Sequence, residues 1–201
     1  SFLVIGVGRF GRHLCKKLFE LGYDVMAVDR NEDCIEQVLP YTLNSMIGDS
    51  TKADFIKSIG VSNFDVCFVA IGDDFQTSLE TTSLLSECGA KHVVSRASRD
   101  TQAKFLLRNG ANEVVYPERQ LAEWTAIRFS SNNISNYIEL PGENSIFECK
   151  VPKNWEGKTI LELDIRKKYK VNVMAIKKGD NWYMTITPKI KFEKGQDILV
   201  Y

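Results

Sequence analysis

The first half of the chain alternates short apolar runs with amphipathic stretches. Phe2–Ile5 is a strand-like run that ends in glycines. A helical face follows, with apolar residues at spacings of four, four and three: Phe10, Leu14, Leu18 and Leu21. The same alternation predicts strands at 24–29, 43–47, 66–71, 92–95 and 113–116, and helices at 32–39, 52–59, 76–88 and 101–109. Because strand and helix alternate throughout, we expect a doubly wound parallel sheet of the α/β class.

The pattern changes after Pro117. A helix is predicted over 118–130, and from 137 onward the chain is rich in strand patterns at 137–140, 145–151, 171–177, 182–187 and 197–201. One short helix, about 160–169, interrupts them, and turn signals stand at 141–142 and 179–181. We therefore predict a first domain over 1–131 that includes the helix 118–130, and a small α+β C-terminal lobe over 136–201. A lobe of this size is near the lower limit for an independent core, so a second copy would help it.

Composition narrows the possible functions. The chain has 201 residues with 26 basic and 26 acidic side chains, so no bulk charge favours nucleic acid or an anionic membrane as partner. No apolar run approaches the roughly 20 residues that span a bilayer. The five cysteines are odd in number and never form a CxxC pair, which predicts reduced thiols in a cytosolic compartment. Both ends of the chain fall inside strand patterns, so we expect the natural chain to continue beyond them.

The most informative motif is the glycine-rich run GVGRFG at 6–11, directly after a strand and before a helix. Gly6 permits a tight turn, Gly8 leaves a path for a phosphate, and Gly11 lets the helix pack closely on the strand. The free N–H groups at the start of the helix attract an anion. Asp29 ends the second strand, eighteen residues after Gly11, where a carboxylate accepts from ribose hydroxyls. Together these residues predict an adenine-nucleotide site in a Rossmann-like fold.

Two neighbouring positions allow two interpretations each. Arg30 would stack on adenine or accept a 2′-phosphate, or it would be an ordinary exposed arginine. Asp49 follows the third strand and is placed to accept from the adenine amino group. Alternatively, Asp49 with Ser50 and Thr51 forms the N-cap of the next helix, and Thr51 with Asp54 has the spacing of a capping box.

The other strand ends offer four more candidates. Gly72, after Ile71, would give backbone access near the nucleotide, or it is a plain turn glycine. Arg9 lies inside the loop and would neutralise a terminal phosphate, in its own subunit or in a neighbour's. Arg96 ends the fifth strand near the expected phosphate. Glu118 follows Pro117 at a helix start, where it would complement the helix dipole or lie near Mg²⁺ or phosphate.

The sequence shows no catalytic constellation. His13 and His92 have no obvious partner, and no Walker lysine, nucleophile elbow or zinc-ligand cluster is present. A dehydrogenase needs an acid or base beside the nicotinamide, and the second half contains no histidine. A nucleotide-sensing module is therefore favoured over the alternative, a small NAD(P)-dependent oxidoreductase. The sensor could serve a potassium channel or some other partner.

Several segments together resemble RCK domains, the regulators of potassium conductance. These are the runs VIGVGRFG at 4–11, VAIG at 69–72, GANEVVYPE at 110–118, and 161–169 followed by 173–177. The chain looks most like the cytosolic ring subunit of Ktr/Trk-type bacterial potassium transporters. The resemblance implies a non-catalytic regulatory subunit that dimerises and then forms an octameric ring on a membrane potassium pore protein, at the inner face of the cell membrane. ATP, ADP or NAD(H) would change the shape of the ring.

The resemblance also implies individual roles. Arg9 would reach a terminal phosphate across the dimer, Glu118 would help to place a divalent ion such as Mg²⁺, and Asp29 with Arg30 would hold ribose and adenine. The helix 118–130 would be the crossover that dimerises. The full predicted nucleotide set lies in the loops after the strands: Gly6, Gly8, Arg9, Phe10, Gly11, Asp29, Arg30, Asp49, Ser50, Ile71, Gly72, Arg96 and Glu118.

Relatives bind cyclic di-AMP in the C-terminal lobe, at a two-fold interface. The matching residues here are Ile160, Leu161 and Ile165 as an apolar floor, Arg166 to a phosphate, Asn172 and Val173 to an adenine edge, and Pro188 as packing. The alternative stays open that the three apolar residues are ordinary core positions and that 166–170 is a solvated basic run. The sequence leaves open which adenine nucleotide binds and whether it opens or closes a pore.

Overall fold

The computed structural model describes residues 1–130, 133–140 and 144–201. Two compact units divide the chain, Ser1–Gln120 and Leu121–Tyr201. The division falls within the helix that we assigned wholly to the first domain. The turn predicted at 141–142 and the start of the predicted boundary at 131–132 lie outside the described residues. The domain limits of 131 and 136 therefore stay a prediction.

The first unit is built on six parallel strands. Its elements are β1 (Phe2–Ile5), α1 (Arg9–Glu20), β2 (Val25–Asp29), α2 (Glu32–Glu36), β3 (Asn44–Ile47), α3 (Ala53–Ile59), β4 (Val66–Val69), α4 (Phe75–Glu87), β5 (Val93–Arg96), α5 (Asp100–Arg108), β6 (Glu113–Val115) and the start of α6 (Pro117–Phe129). The strand order is β3-β2-β1-β4-β5-β6. This order confirms the Rossmann-like doubly wound sheet.

Both faces of the sheet are covered, because successive residues of a strand point to opposite sides. Leu3 belongs to a buried cluster that includes Ile56 and Leu85. The next residue, Val4, belongs to a different buried cluster, which includes Cys15 of α1 and Ile35 of α2. Strand order reverses between β1 and β4, so the connections that follow these two strands lead to opposite faces of the sheet, and a crevice is expected between them. The glycine-rich loop and the loop after β4 flank that crevice.

One helix of this unit is shorter than predicted. The pattern 32–39 predicts a single helix, but α2 ends at Glu36 and a separate 3-10 turn covers Leu39–Tyr41. Pro40 lies in that turn. Proline disfavours the helical conformation in the residue before it and has no N–H to continue the ladder.

The second unit is an antiparallel sheet with two short helices. Its elements after α6 are β7 (Ile134–Leu140), β8 (Asn144–Lys150), α7 (Ile160–Leu163), α8 (Ile165–Tyr169), β9 (Val173–Lys178), β10 (Asn181–Tyr183) and β11 (Asp197–Val200). The order of the five strands is β10-β9-β11-β8-β7. Trp155, Phe192 and Ile198 are buried together in its core. The small α+β lobe that the sequence predicts is confirmed.

Two predicted elements of this unit are wrong in detail. The strand predicted at 182–187 ends at Tyr183, because the backbone that follows turns to α7, where the Leu161 N–H donates to the Pro188 carbonyl at 3.0 Å. The single helix predicted at 160–169 is broken at Asp164, whose φ is +47°. Thr159 and Glu162 form a reciprocal capping box at the start of α7, and the Thr159 hydrogen bonds lower the pKa of Glu162.

The end of α8 gives a test of this backbone. Lys170 has a φ of +60° at the C-cap of α8, a conformation that glycine adopts without steric cost. We expect Lys170→Gly to raise the free energy of unfolding by about 0.5 kcal/mol. The matched Lys168→Gly removes the same side chain inside α8 and should lower it by about 1 kcal/mol. Urea unfolding followed by tryptophan fluorescence measures the free energy of unfolding of both variants. If both substitutions change it in the same direction, the assigned end of α8 is contradicted.

Candidate functional site

The glycine-rich loop after β1 is held by close backbone contacts. Gly6 has a φ of +88°, and its N–H donates to the Val28 carbonyl at 2.8 Å. A Cβ on Gly6 would lie 2.7 Å from Cγ1 of Ile71, and one on Gly11 would overlap the Gly6 carbonyl oxygen. Both glycines are therefore required by packing between β1, α1 and the loop after β4.

Gly8 differs from the other two glycines of the motif. Its φ is −62°, which any residue adopts, and a Cβ there would meet no atom within 4 Å. It is the N-cap of α1 without a side-chain cap, and the first turn of α1 contains no acidic residue. Gly8 thus leaves open space beside a helix start whose N–H groups have no side-chain cap, which is an arrangement that can bind a phosphate.

Asp29 lies at the end of β2, beside the same loop. Its Oδ2 accepts from the Val7 N–H at 2.8 Å, and its Oδ1 accepts from the Asn31 N–H at 2.9 Å. A carboxylate has about four acceptor positions, so each oxygen can still accept from a ribose hydroxyl. The two backbone bonds fix the carboxylate in the position where that hydroxyl is expected.

Two carboxylates lie within electrostatic reach of Arg30, Asp49 after β3 and Asp74 at the start of α4. Asp49 accepts from the backbone and hydroxyl of Thr51 at 3.0 and 2.7 Å, and these bonds lower its pKa, with a smaller contribution from Arg30. Asp74 accepts from the backbone of Thr77 at 3.1 Å at the start of α4. Bonds from Thr77 lower the pKa of Asp74, and Arg30 again adds to this. The charge of Arg30 is thus felt by both carboxylates, so the adenine side is polar.

The capping role predicted around Asp49 is wrong. Helix α3 begins at Ala53 with Lys52 as its N-cap, and no side chain caps it. The Thr51 N–H and hydroxyl donate to Asp49 and form a local turn before the helix. An aspartate can accept in such a turn instead of capping a helix. The Ser50 hydroxyl shares a buried hydrogen bond of 2.8 Å with the Thr81 hydroxyl, so this side chain is held inside the protein.

Arg96 lies beside the loop after β4 and meets Glu118. The Arg96 side chain is 17% exposed and forms an ion pair with Glu118. Its guanidinium carbon lies 5.8 Å from the centre of the Phe10 ring, and a Cβ on Gly72 would overlap the guanidinium. The structure thus brings Phe10, Gly72, Arg96 and Glu118 together, with the Arg96 guanidinium filling the space beside Gly72.

Other predicted positions have simpler surroundings. Arg9 is exposed as the first residue of α1. His92, which has no obvious partner in the sequence, lies with its Nε2 3.0 Å from Oε1 of Glu113. In the described ranges, no three His, Cys, Asp or Glu side chains are grouped to hold a metal ion, and the metal role of Glu118 stays a prediction. No helix in those ranges is long and apolar enough to cross a membrane.

The residues predicted for cyclic di-AMP are divided between surface and core. Ile165 is 2% exposed in the core of the second unit, whereas Leu161 is 68% exposed and hydrogen-bonds through its backbone to exposed Pro188. Arg166 is exposed on α8. Ile165 therefore matches the alternative of an ordinary core residue, and Leu161 with Pro188 offers apolar surface.

The remaining candidates of this lobe are near β11. The Asn172 N–H donates to the Tyr201 carbonyl at 2.6 Å, and the Tyr201 N–H donates back at 2.9 Å, so the Asn172 amide is positioned by its backbone. Val173 and Ile160 are partly buried against the core. An open groove of about 470 Å³ lies elsewhere in the lobe and contains none of the predicted residues.

Sequence reasoning missed Asp74, and it missed the pairing of Arg96 with Glu118. Asp74 could have been found, because an aspartate three residues before Thr77 at a helix start is an N-cap pattern. The ion pair joins residues 22 positions apart. No local pattern signals such a contact.

Comparison with known proteins adds family information. The TrkA-N domain model matches residues 2–117, and the TrkA-C domain model matches 146–201. The Ktr system potassium uptake protein C of Bacillus subtilis is 42% identical over 179 residues, which cover 89% of this chain and 81% of that protein. The Ktr system potassium uptake protein A of the same organism is 34% identical over 200 residues, covering 100% of this chain and 90% of that protein.

Solved structures share the fold. A GsuK channel matches with a TM-score of 0.70 at 18% identity, and a GsuK channel bound to NAD matches with a TM-score of 0.67 at 16% identity. Each match covers 100% of this chain and 36% of the channel chain. This chain therefore spans about a third of the length of those channel proteins, and the likeness concerns the fold.

Proposed function

This chain belongs to the RCK family of potassium uptake proteins with TrkA-N and TrkA-C domains, and from that premise we propose that it is a regulatory subunit that binds an adenine nucleotide in its first unit. The observation that carries the proposal is the open space at Gly8 beside a fixed carboxylate, Asp29. At the point where the strand order reverses, the protein thus has uncapped amides that can bind a phosphate and a carboxylate that can accept from ribose. Nucleotides bind at this point in such folds.

The ligand in this proposal is ATP, ADP or NAD(H). Three features support the binding of such a ligand: the open space at Gly8 for a phosphate, the free lone pairs of Asp29 for ribose, and the polar surroundings of Arg30 for adenine. A GsuK structure with NAD and another with ADP share the fold. Arg9, exposed beside the loop, would add charge to a terminal phosphate from a neighbouring copy, and Glu118 would hold Mg²⁺ together with that phosphate.

A calorimetric panel tests the proposal. ATP, ADP, NAD⁺ and NADH are titrated into the full chain with and without Mg²⁺, and we expect at least one of them to bind once per chain. A ligand that acts as a regulator must also bind one conformation better than another. If none of the four nucleotides gives a binding heat, with or without Mg²⁺, the proposal is contradicted.

Assembly on a membrane potassium pore protein is part of the same proposal. Helix α6 supports it, since none of its residues is buried, and Leu121 and Phe129 are 63% and 73% exposed. Such a helix gains most of its stability from packing, so a partner surface is expected. We infer a dimer through α6 that assembles into an octameric ring at the cytoplasmic face. Light scattering that shows a monomer at all concentrations would contradict it.

Catalysis is not proposed. The two Bacillus relatives are potassium uptake proteins by name. Family membership therefore favours a regulatory role over an oxidoreductase activity. Consumption of NADH by the pure chain, in the presence of small carbonyl compounds, would support the oxidoreductase instead.

Cyclic di-AMP binding in the second unit is the finer part of the proposal. Exposed Leu161 and Pro188 supply apolar surface, and Arg166 supplies a charge for a phosphate. We expect Arg166→Ala to weaken cyclic di-AMP binding about tenfold, because a charge-assisted bond is lost, and to leave ADP binding unchanged. Lys167→Ala is the matched control, one residue away on the same helix. Calorimetry with both ligands measures the effects, and an unchanged affinity in Arg166→Ala would overturn this placement.

A further inference from the structure

We infer that the Arg96–Glu118 ion pair is a phosphate-responsive latch, in which Glu118 holds Arg96 until a ligand phosphate takes its place. The pair would therefore decide which ligands the crevice accepts, favouring those that carry a phosphate to this point. The inference rests on the proposed nucleotide site, and it adds a rule for how that site selects and responds.

The position of Arg96 is the first step. Arg96 ends β5, which pairs with β4, and its guanidinium fills the space above Gly72 in the loop after β4. The Phe10 ring, from the first turn of α1, lies on another side at 5.8 Å. Because α1 and the β4 loop are the two walls beside the reversal of strand order, the guanidinium lies at the crevice.

The hydrogen bonds of Arg96 are incomplete. A guanidinium has five N–H donors, and one terminal nitrogen of Arg96 donates to Glu118. The Nε atom is buried and has no hydrogen-bond partner in the described part of the chain. A buried N–H of a charged group is costly when it is unpaired. An acceptor that engages Nε together with a terminal nitrogen, on one edge of the guanidinium, would satisfy a donor that Glu118 leaves unpaired, and the oxygens of a phosphate can do this.

The hold of Glu118 is weak enough to be exchanged. Its side chain is 63% exposed, whereas that of Arg96 is 17% exposed. When the pair separates, the carboxylate returns to water with little loss, because an ion pair with an exposed partner contributes little. The guanidinium stays between Phe10 and Gly72 and needs an anion. The exchange of carboxylate for phosphate keeps the buried charge neutralised.

The consequence is a difference between ligands. A nucleotide that brings a phosphate to Arg96 displaces Glu118, whereas a nucleoside leaves the ion pair intact. Glu118 lies in the first turn of α6, the helix that leads out of the first unit. Release of its carboxylate therefore reports phosphate occupancy to the start of that helix.

Calorimetry on the full chain in EDTA tests the latch, since chelation removes any contribution from a metal at Glu118. ADP and adenosine are titrated into the wild type, Glu118→Gln, Arg96→Gln and the double variant. Glu118→Gln should bind ADP about three- to tenfold more tightly, because the competing carboxylate is gone, and should bind adenosine unchanged. Glu113→Gln, an exposed acid on β6, is the control and should leave both affinities unchanged.

The double variant separates the latch from simple charge repulsion. In the Arg96→Gln background the latch predicts that Glu118→Gln has no effect on ADP affinity, since there is no guanidinium left to compete for. Unchanged or weaker ADP binding by Glu118→Gln, or the same tightening in both backgrounds, would overturn the latch while leaving the nucleotide site in place. A wild type that binds no adenine nucleotide would instead overturn the proposed function.

Discussion

Replacing Gly8 with valine is expected to weaken adenine-nucleotide binding by about a hundredfold or more, because the branched side chain would occupy the phosphate path. A Cβ at this position meets no protein atom within 4 Å, and the φ of −62° suits any residue. The fold should therefore tolerate the change, with the free energy of unfolding altered by about 0.5 kcal/mol or less. Calorimetry with ADP and urea unfolding of the same sample measure the two effects.

The graded variant Gly8→Ala is the control for this prediction. It adds one methyl group at the same open position, so it should weaken ADP binding less than valine does and also leave stability nearly unchanged. Replacing a glycine N-cap by alanine costs about 0.5 kcal/mol, the difference between the cost of alanine and that of glycine at this position. Wild-type ADP affinity in Gly8→Val would show that the phosphate does not approach this loop, and it would count against the site as a whole.

The sheet could be predicted from sequence because its signals are local and repeated. Most strands of the first unit are short apolar runs that are followed by a helix pattern, so an error at one boundary does not change the topology. The glycine loop was predictable for the same reason. Its three glycines have distinct tasks, and Gly6 and Gly11 prove to be packing positions while Gly8 remains open.

The errors concern features that depend on where a helical turn begins. Asp49 and Thr51 have capping spacing, yet they bond to each other and α3 begins two residues after Thr51. The predicted helix 160–169 has no glycine or proline to signal its break at Asp164. Aspartate tolerates the left-handed conformation that breaks the helix here. The spacing of apolar residues gives no sign of such a break.

The contacts that matter most for the latch are long-range. Arg96 and Glu118 are far apart in sequence, as are His92 and Glu113. Each pair is brought together by the parallel register of β5 and β6, in which Arg96 lies opposite Val115. Sequence reasoning placed Arg96 near a phosphate but could not show that a carboxylate from this same chain already holds it.

Gly11→Ala is expected to have the opposite profile to Gly8→Val, with stability as its main effect. The new Cβ would overlap the Gly6 carbonyl oxygen and lie 3.4 Å from Cβ of Ala70. Gly6 cannot easily move, because its N–H donates to Val28 at 2.8 Å and its own Cα faces Ile71. We expect the free energy of unfolding to fall by about 3 kcal/mol, the upper end for an overpacked core position. Urea unfolding of the full chain measures it.

Gly8→Ala is again the matched control, since the same atom is added three residues away in the same loop. Its stability should stay near that of the wild type, so the difference between the two variants isolates the contact with Gly6 from any general effect of losing a glycine. Alanine is a better helix former than glycine by up to about 1 kcal/mol, and Gly11 lies in the first turn of α1, so a net loss of stability there must come from that contact. A Gly11→Ala protein as stable as the wild type would mean that α1 is free to shift away from β1, and the close approach that shapes the nucleotide crevice would then be absent.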